Sequence, residues 1–181
     1  MELWLVDQNT ELVNAWKQVF SDLPNVFVQP GDILSIAENA IVSPANSLGM
    51  MDGGIDLAYL NRFGLGMQQR LFDAIAEQPD RLLPVGAAVL IETGDSKIPF
   101  LISAPTMKTP EPVPKANAFF AMSAALMVAE RHEAKIQKLF CPGLATGIGC
   151  VAPIDAANEM ANAYRKWLRR RGLADTRSDS R

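Results

Sequence analysis

Hydrophobic positions along this chain switch between short continuous runs and helical spacing in a regular order. Glu2 to Val6 is a short apolar run of the kind that forms a strand. Asn9 or Thr10 then stands where a helix N-cap is expected. Leu12, Val13, Trp16 and Phe20 fall on one face of a helix running to about Phe20. Val26 to Val28 reads as a second strand, Pro30-Gly31-Asp32 as a turn, and Ala40 to Ser43 as a third strand. A loop with three glycines leads into a helix from about Gly54, where Ile55, Tyr59 and Phe63 recur four residues apart. Gly64 and Gly66 are expected to end that helix, and Met67 to Glu77 to form the next.

The alternation continues. Ala87 to Ile91 and Phe100 to Ser103 read as strands, and the proline-rich stretch at 109–115 as a loop that cannot pair regularly. Asn117 to about Arg131 is an alanine-rich helix, and Leu139 to Cys141 a short strand. In the last helix Pro153 suits the first turn, Asp155 and Glu159 favour its positive end, and Ile154, Ala157, Ala161, Tyr164 and Leu168 predict the buried stripe. Arg169 to Arg171 complement its C-terminal dipole and Gly172 ends it. Residues 1–172 are thus expected to make one domain, with 173–181 as a disordered tail. Strands alternating with helices imply an α/β sandwich with a mixed, mainly parallel sheet, and such sheets bind ligands beyond the carboxyl ends of their strands.

Composition and charge narrow the function classes. The longest nearly apolar run, Phe119 to Ala129, is too short to span a bilayer, and the N-terminus has no basic region ahead of its apolar stretch, so neither membrane nor export signal is expected. Two cysteines, Cys141 and Cys150, give no disulfide framework, which makes a reduced, cytoplasmic protein the expectation. The net charge is −3, but the arginine-rich C-terminal stretch from Arg169 carries +3 and leaves the body near −6, which argues against general nucleic-acid binding. His132 is the sole histidine and lies in a charged stretch, so it reads as a surface residue. Neither a zinc site nor a histidine-based nucleophile triad is expected. Nothing in the pattern requires a dimer, and a monomer is the expectation.

Two loops share one design. Residues 43–56 and 142–150 each run from a strand into a helix and carry glycines just before the helix start. Glycine permits positive φ and close approach of the backbone to a ligand, and exposed N–H groups at a helix N-terminus form an anion site without lysine. No lysine lies between Lys17 and Lys97 or in the second loop, which excludes a lysine-bearing phosphate loop, and the G-x-G-x-x-G pattern is also absent. Two backbone cradles suit a diphosphate. Asn46 and Asp56 flank Asp52-Gly53-Gly54. Asp56 falls in the first helical turn, where the dipole is expected to keep its pKa low, fitting it to orient a water or hold a sugar hydroxyl. Asn46 can donate and accept, as a ribose diol requires, or it can stabilise its own turn. Asp32 either caps a short helix starting near Ile33 or accepts an exocyclic amine with Ile33 beside the base.

At this point the chain resembles the macrodomain family, over residues of about 26–168. Gly31-Asp32-Ile33 resembles the family's adenine-site motif. Ser43-Pro44-Ala45-Asn46 with Asp52-Gly53-Gly54-Ile55-Asp56 resembles the Asn-Ala-Ala-Asn and Gly-Gly-Gly-Val-Asp loop of MacroD-type hydrolases, with the same Asn–Asp spacing. Pro142 to Gly149 resembles the second diphosphate loop. The resemblance implies a three-layer α/β/α sandwich that binds ADP-ribose or an ADP-ribosylated macromolecule. It also implies hydrolysis of an ADP-ribosyl bond without metal or other cofactor, or, alternatively, a non-catalytic binding module.

On that resemblance Asp32 holds the adenine amine, helped by the Ile33 N–H. Gly53, Gly54 and Ile55 line the diphosphate and distal ribose, Ala145, Thr146, Gly147, Ile148 and Gly149 clasp the phosphates, and Asn46 and Asp56 contact the distal ribose and its attacking water, which the substrate's own phosphate helps to activate. Four departures stand out. Ser43 replaces the first asparagine. Asp52 replaces the first glycine and must point away from a diphosphate. Gly149 stands where an aromatic often covers the distal ribose, and Leu57 replaces a small residue and is expected to narrow access.

Overall fold

The computed structural model describes residues 1–172. Its strands are β1 (Glu2–Asp7), β2 (Val26–Pro30), β3 (Ala40–Ser43), β4 (Val89–Glu92), β5 (Phe100–Ser103) and β6 (Lys138–Cys141). Its helices are α1 (Thr10–Val19), α2 (Ile33–Ile36), α3 (Gly54–Phe63), α4 (Leu65–Ala76), α5 (Ala116–Arg131) and α6 (Pro153–Arg170). The six strands form one sheet in the order β2-β1-β6-β3-β5-β4, parallel throughout except for the antiparallel β4–β5 pair. The expected tail at 173–181 lies outside the described residues.

Two apolar clusters hold the layers together. On one face Leu12 and Trp16 of α1, Met122 and Leu126 of α5, and Met160 and Tyr164 of α6 pack with Leu3, Leu5 and Val42 of the sheet. On the other, Ile33 of α2, Tyr59 of α3 and Met67, Leu71 and Ile75 of α4 pack with Val6, Ile41 and Leu101. Successive strand residues point to opposite faces, so Ile41 and Val42 feed different clusters and both faces of the sheet are dry. This is the three-layer α/β/α sandwich, with its sheet mixed and mainly parallel.

Several boundaries differ from the sequence expectation for identifiable reasons. β2 continues to Pro30, which pairs with Asp7. β2 is an edge strand, so one side of Pro30 needs no N–H. Gly64, with φ of 81°, alone separates α3 from α4, and Gly66 lies inside α4. β4 starts at Val89 because Ala87 closes a turn onto the Pro84 carbonyl. In α6 the buried set runs through Ala156, Ala157, Met160, Ala161, Ala163, Tyr164, Trp167 and Leu168. Ile154, in the first turn where packing thins, is 44% exposed.

Every parallel strand ends on the same side of the sheet, and the turns there are tightly specified. Asp7 at the end of β1 accepts the Asn9 N–H, and Asn9 caps α1 by accepting from the N–H groups of Glu11 and Leu12 at 2.9 and 3.2 Å. Asn9→Ala is expected to lower the free energy of unfolding by about 1 kcal/mol in urea denaturation, and an unchanged midpoint would remove the cap from this account.

Candidate functional site

A cleft of about 450 Å³ opens over the carboxyl ends of the parallel strands. Strand order sets its layout. Gly31, Asp32 and Ile33 follow β2, Asp7 to Asn9 follow β1, and Pro142 to Gly149 follow β6. Pro44 to Asp56 follow β3, and Thr106, Met107 and Pro110 follow β5. All twelve residues singled out in the sequence (Asp32, Ile33, Asn46, Gly53, Gly54, Ile55, Asp56, Ala145, Thr146, Gly147, Ile148 and Gly149) line this one cleft. Because β3 pairs directly with β6, the two glycine loops are neighbours, and a Cβ at Gly53 would meet the Ile148 side chain at 4.0 Å.

The loops leave their amides free. Among the described residues, the N–H groups of Gly53, Gly54 and Ile55, and those of Thr146, Gly147 and Ile148, meet no protein acceptor. Neither α3 nor α6 has a side-chain cap. The first set lies at the start of α3, the positive end of its dipole, and the second lies in the loop between β6 and α6, ahead of the α6 N-cap Ala152. The glycines serve different purposes in the two loops. Gly54 takes φ of +57°, whereas in the second loop Ala145 and Cys150 hold the left-handed positions and Gly143 is required by packing. A Cβ at Gly143 would lie 2.4 Å from Thr146 Oγ1 and 2.6 Å from Leu12 Cδ2. The Gly143 N–H donates to Asp7 Oδ2 at 3.1 Å, which ties β1 to the second loop.

Asp56 corrects the sequence expectation of a low pKa. Its side chain is 7% exposed, and burial pushes its carboxyl up to about 6. The Ser43 hydroxyl, donating to Asp56 Oδ1 at 2.6 Å, opposes this, and the nearby Asp52 charge adds to it. Desolvation therefore outweighs the helix dipole that the sequence reading relied on. Oδ2 remains available to the cleft. Asn46 is committed to its turn. Its Oδ1 accepts the N–H groups of Leu48 and Met50, and its Nδ2 donates to the Met50 carbonyl at 2.8 Å, leaving one amide hydrogen free.

Residues 42–161 match the Macro domain family. An uncharacterized protein of Aeropyrum pernix is 36% identical over 147 residues, covering 78% of this chain and 74% of its own. The chain belongs to the macro domain family. Among solved structures, the macrodomain of Mycobacterium tuberculosis DarG superposes with a TM-score of 0.63 at 23% identity, covering 76% of this chain and 88% of that one. The Oceanobacillus iheyensis macrodomain with ADP superposes with a TM-score of 0.60 at 17% identity, covering 70% and 67%. At these identities the superpositions establish the shared fold.

Within this macrodomain Asp32 does what an N-cap does. Oδ1 accepts the Leu34 N–H at 3.0 Å and Oδ2 the Ser35 hydroxyl at 2.8 Å, while the exposed carboxylate keeps acceptor capacity toward the cleft. Leu57 does not narrow access. It sits about 100° around α3 from Asp56, is 40% exposed and is not part of the cleft wall. Asp52, expected to point away, is exposed and part of the wall. A side chain at Gly149 is excluded, since its Cβ would lie 2.6 Å from the Ala145 carbonyl oxygen and 3.0 Å from Val113 Cγ2.

Sequence reasoning missed Asp7, Thr106, Met107 and Pro110, which reach the cleft only through strand order. Asp7 at the end of an apolar run was the one available signal. Cys141 is buried and its thiol is pushed up by burial and by Asp7, so it is no nucleophile at neutral pH. Among the described residues no helix is long and apolar enough to cross a membrane, and no three His, Cys, Asp or Glu side chains gather as metal ligands.

Asp56 holds its proton more tightly folded than unfolded. Its contribution to stability is therefore full below the ordinary carboxylate value and is lost as pH rises to about 6, at a cost of about 3 kcal/mol at neutral pH. Asp56→Asn keeps an acceptor for Ser43 without the charge. It is expected to raise the unfolding free energy by about 2 kcal/mol at pH 7, with the gain vanishing near about pH 4. Urea denaturation at both pH values checks this, and equal destabilisation at both would contradict it.

Proposed function

We propose that the cleft binds ADP-ribose and that the protein hydrolyses an ADP-ribosyl bond, in a mono-ADP-ribosylated target or in O-acetyl-ADP-ribose. One observation carries this reading. Two adjacent strand-to-helix junctions present unpartnered amides to a single cleft, with a buried carboxylate between them. Such amides suit a diphosphate. The Oceanobacillus iheyensis macrodomain, which shares the fold, was solved with ADP.

Strand order then gives the ligand its direction. Adenine lies toward β2, with its amine on the Asp32 carboxylate and Ile33 beside the base. The phosphates lie over the ends of β6 and β3, against Gly53 to Ile55 and Ala145 to Gly149. The terminal ribose lies toward the end of β5, near Asn46 and Asp56. Parallel strands are about 4.8 Å apart, so this path covers roughly 19 Å.

Asp56 is well matched to general-base work. A carboxylate whose pKa is pushed up to about 6 is ionised at neutral pH, yet accepts a proton more readily than an ordinary one. Ser43 fixes Oδ1, so Oδ2 takes a hydrogen bond from a water beside the ribose. Asn46 shapes the turn that carries the first loop and offers its one free amide hydrogen to a sugar hydroxyl. Among the described residues the lining holds Asp7, Asp32, Asp52 and Asp56 and no lysine, arginine or histidine, so backbone dipoles offset the ligand's charge there.

A second reading, a binding module without turnover, draws on Asn46 being occupied by its own turn and on Gly149 offering no side chain over the ribose. Turnover decides between them. Wild type is expected to release ADP-ribose from an ADP-ribosylated protein or to cleave O-acetyl-ADP-ribose, with activity falling as pH drops through about 6 and Asp56 gains its proton. Asp56→Ala should abolish turnover while retaining binding, and Asp32→Ala should weaken binding measured by calorimetry. Tight binding with no turnover of either substrate by wild type leaves the binding module.

A further inference from the structure

The segment that follows β5 is built into both glycine loops. Met107 forms an isolated parallel bridge with Asn46, and the Ser47 N–H donates to the carbonyls of Met107 and Lys108 at 2.9 and 3.2 Å. The Thr106 hydroxyl donates to the Pro44 carbonyl, and Asn117 Nδ2 to the Thr106 carbonyl. At its other end the Val113 N–H donates to the Gly149 carbonyl at 3.0 Å. The strap therefore runs from the first loop to the second across one end of the cleft, and it is stiffened by Pro110, Pro112 and Pro114, whose φ angles are fixed. Buried Met107 and exposed Pro110 line the cleft.

The space beside Gly149 is already taken. Val113 Cγ2 and the Ala145 carbonyl oxygen occupy the positions any side chain there would need. A side chain at position 149 therefore cannot supply a wall here, and the strap lies beside that position.

Resting on the ADP-ribose reading above, we propose that the strap is the wall that confines the ligand's terminal sugar, with Pro110 as the specificity-determining contact and Val113 as its anchor. It follows β5, four strand positions from the adenine end at β2, so Pro110 stands at the end of the cleft that the terminal sugar reaches on that reading. Affinity for the sugar is then separable from affinity for the nucleotide at Pro110.

Calorimetry with ADP-ribose and with ADP, which lacks the terminal sugar, tests this on wild type, Pro110→Gly and Pro110→Ala, which leave the bond from Val113 to Gly149 in place. Thermal melts show that each variant is folded. Both variants are expected to lose about tenfold in affinity for ADP-ribose while keeping ADP affinity within about twofold, the scale of one lost apolar contact to a ligand. Equal losses for both ligands, or an unchanged ADP-ribose affinity, overturn the wall. A wild type that binds neither nucleotide overturns the ADP-ribose reading itself, and the wall with it.

Discussion

The amides of Gly53 to Ile55 and Thr146 to Ile148 have no partner among the described residues, and the arrangement of the cleft follows from that. The start of α3 leaves donors that the helix cannot use and spends no side chain on capping them, while Thr146 to Ile148 lie in the loop between β6 and α6. The parallel pairing of β3 with β6 sets the two loops side by side. A free-standing helix N-terminus is ordinary. One that shares a cleft with a second loop of free amides, beside a carboxylate held at 7% exposure, suits the proposed diphosphate and sugar.

The electrostatic balance of the cleft is unusual for a phosphate site. Among the described residues four aspartates line it and no basic side chain does. Two of them are structurally engaged, Asp7 by the N–H groups of Asn9 and Gly143 and Asp32 by its capping bonds. Burial raises the proton affinity of Asp56, and the Asp52 charge adds to it. On the proposed reading, binding depends on amide geometry rather than on summed charge.

Much of this was legible in the sequence, and the gaps have physical causes. The strand β3, the α1 cap at Asn9 and the start of α3 at Gly54 follow from local pattern and capping chemistry, and the structure agrees. The twelve candidate residues lie in loops or first helical turns that follow strand ends, so a parallel sheet brings them together. Asp56 was misjudged because the dipole of its helix is visible in sequence whereas its desolvation under the ends of β3 and α3 is tertiary. The contributions of Asp7, Thr106, Met107 and Pro110 depend on which strands are neighbours, and the sequence does not state that order. The left-handed conformations at Ala145 and Cys150 run against residue preference and were unreadable for the same reason: the loop imposes them.

The central claim is that main-chain amides of both loops grip the ligand, and amide chemical shifts measure it directly. In a titration of isotope-labelled protein with ADP-ribose, the largest amide proton and nitrogen shifts are predicted at Gly53, Gly54, Ile55, Thr146, Gly147 and Ile148 together, with smaller ones at Ile33. Shifts confined to one loop, or centred away from the carboxyl ends of β3 and β6, would contradict the account.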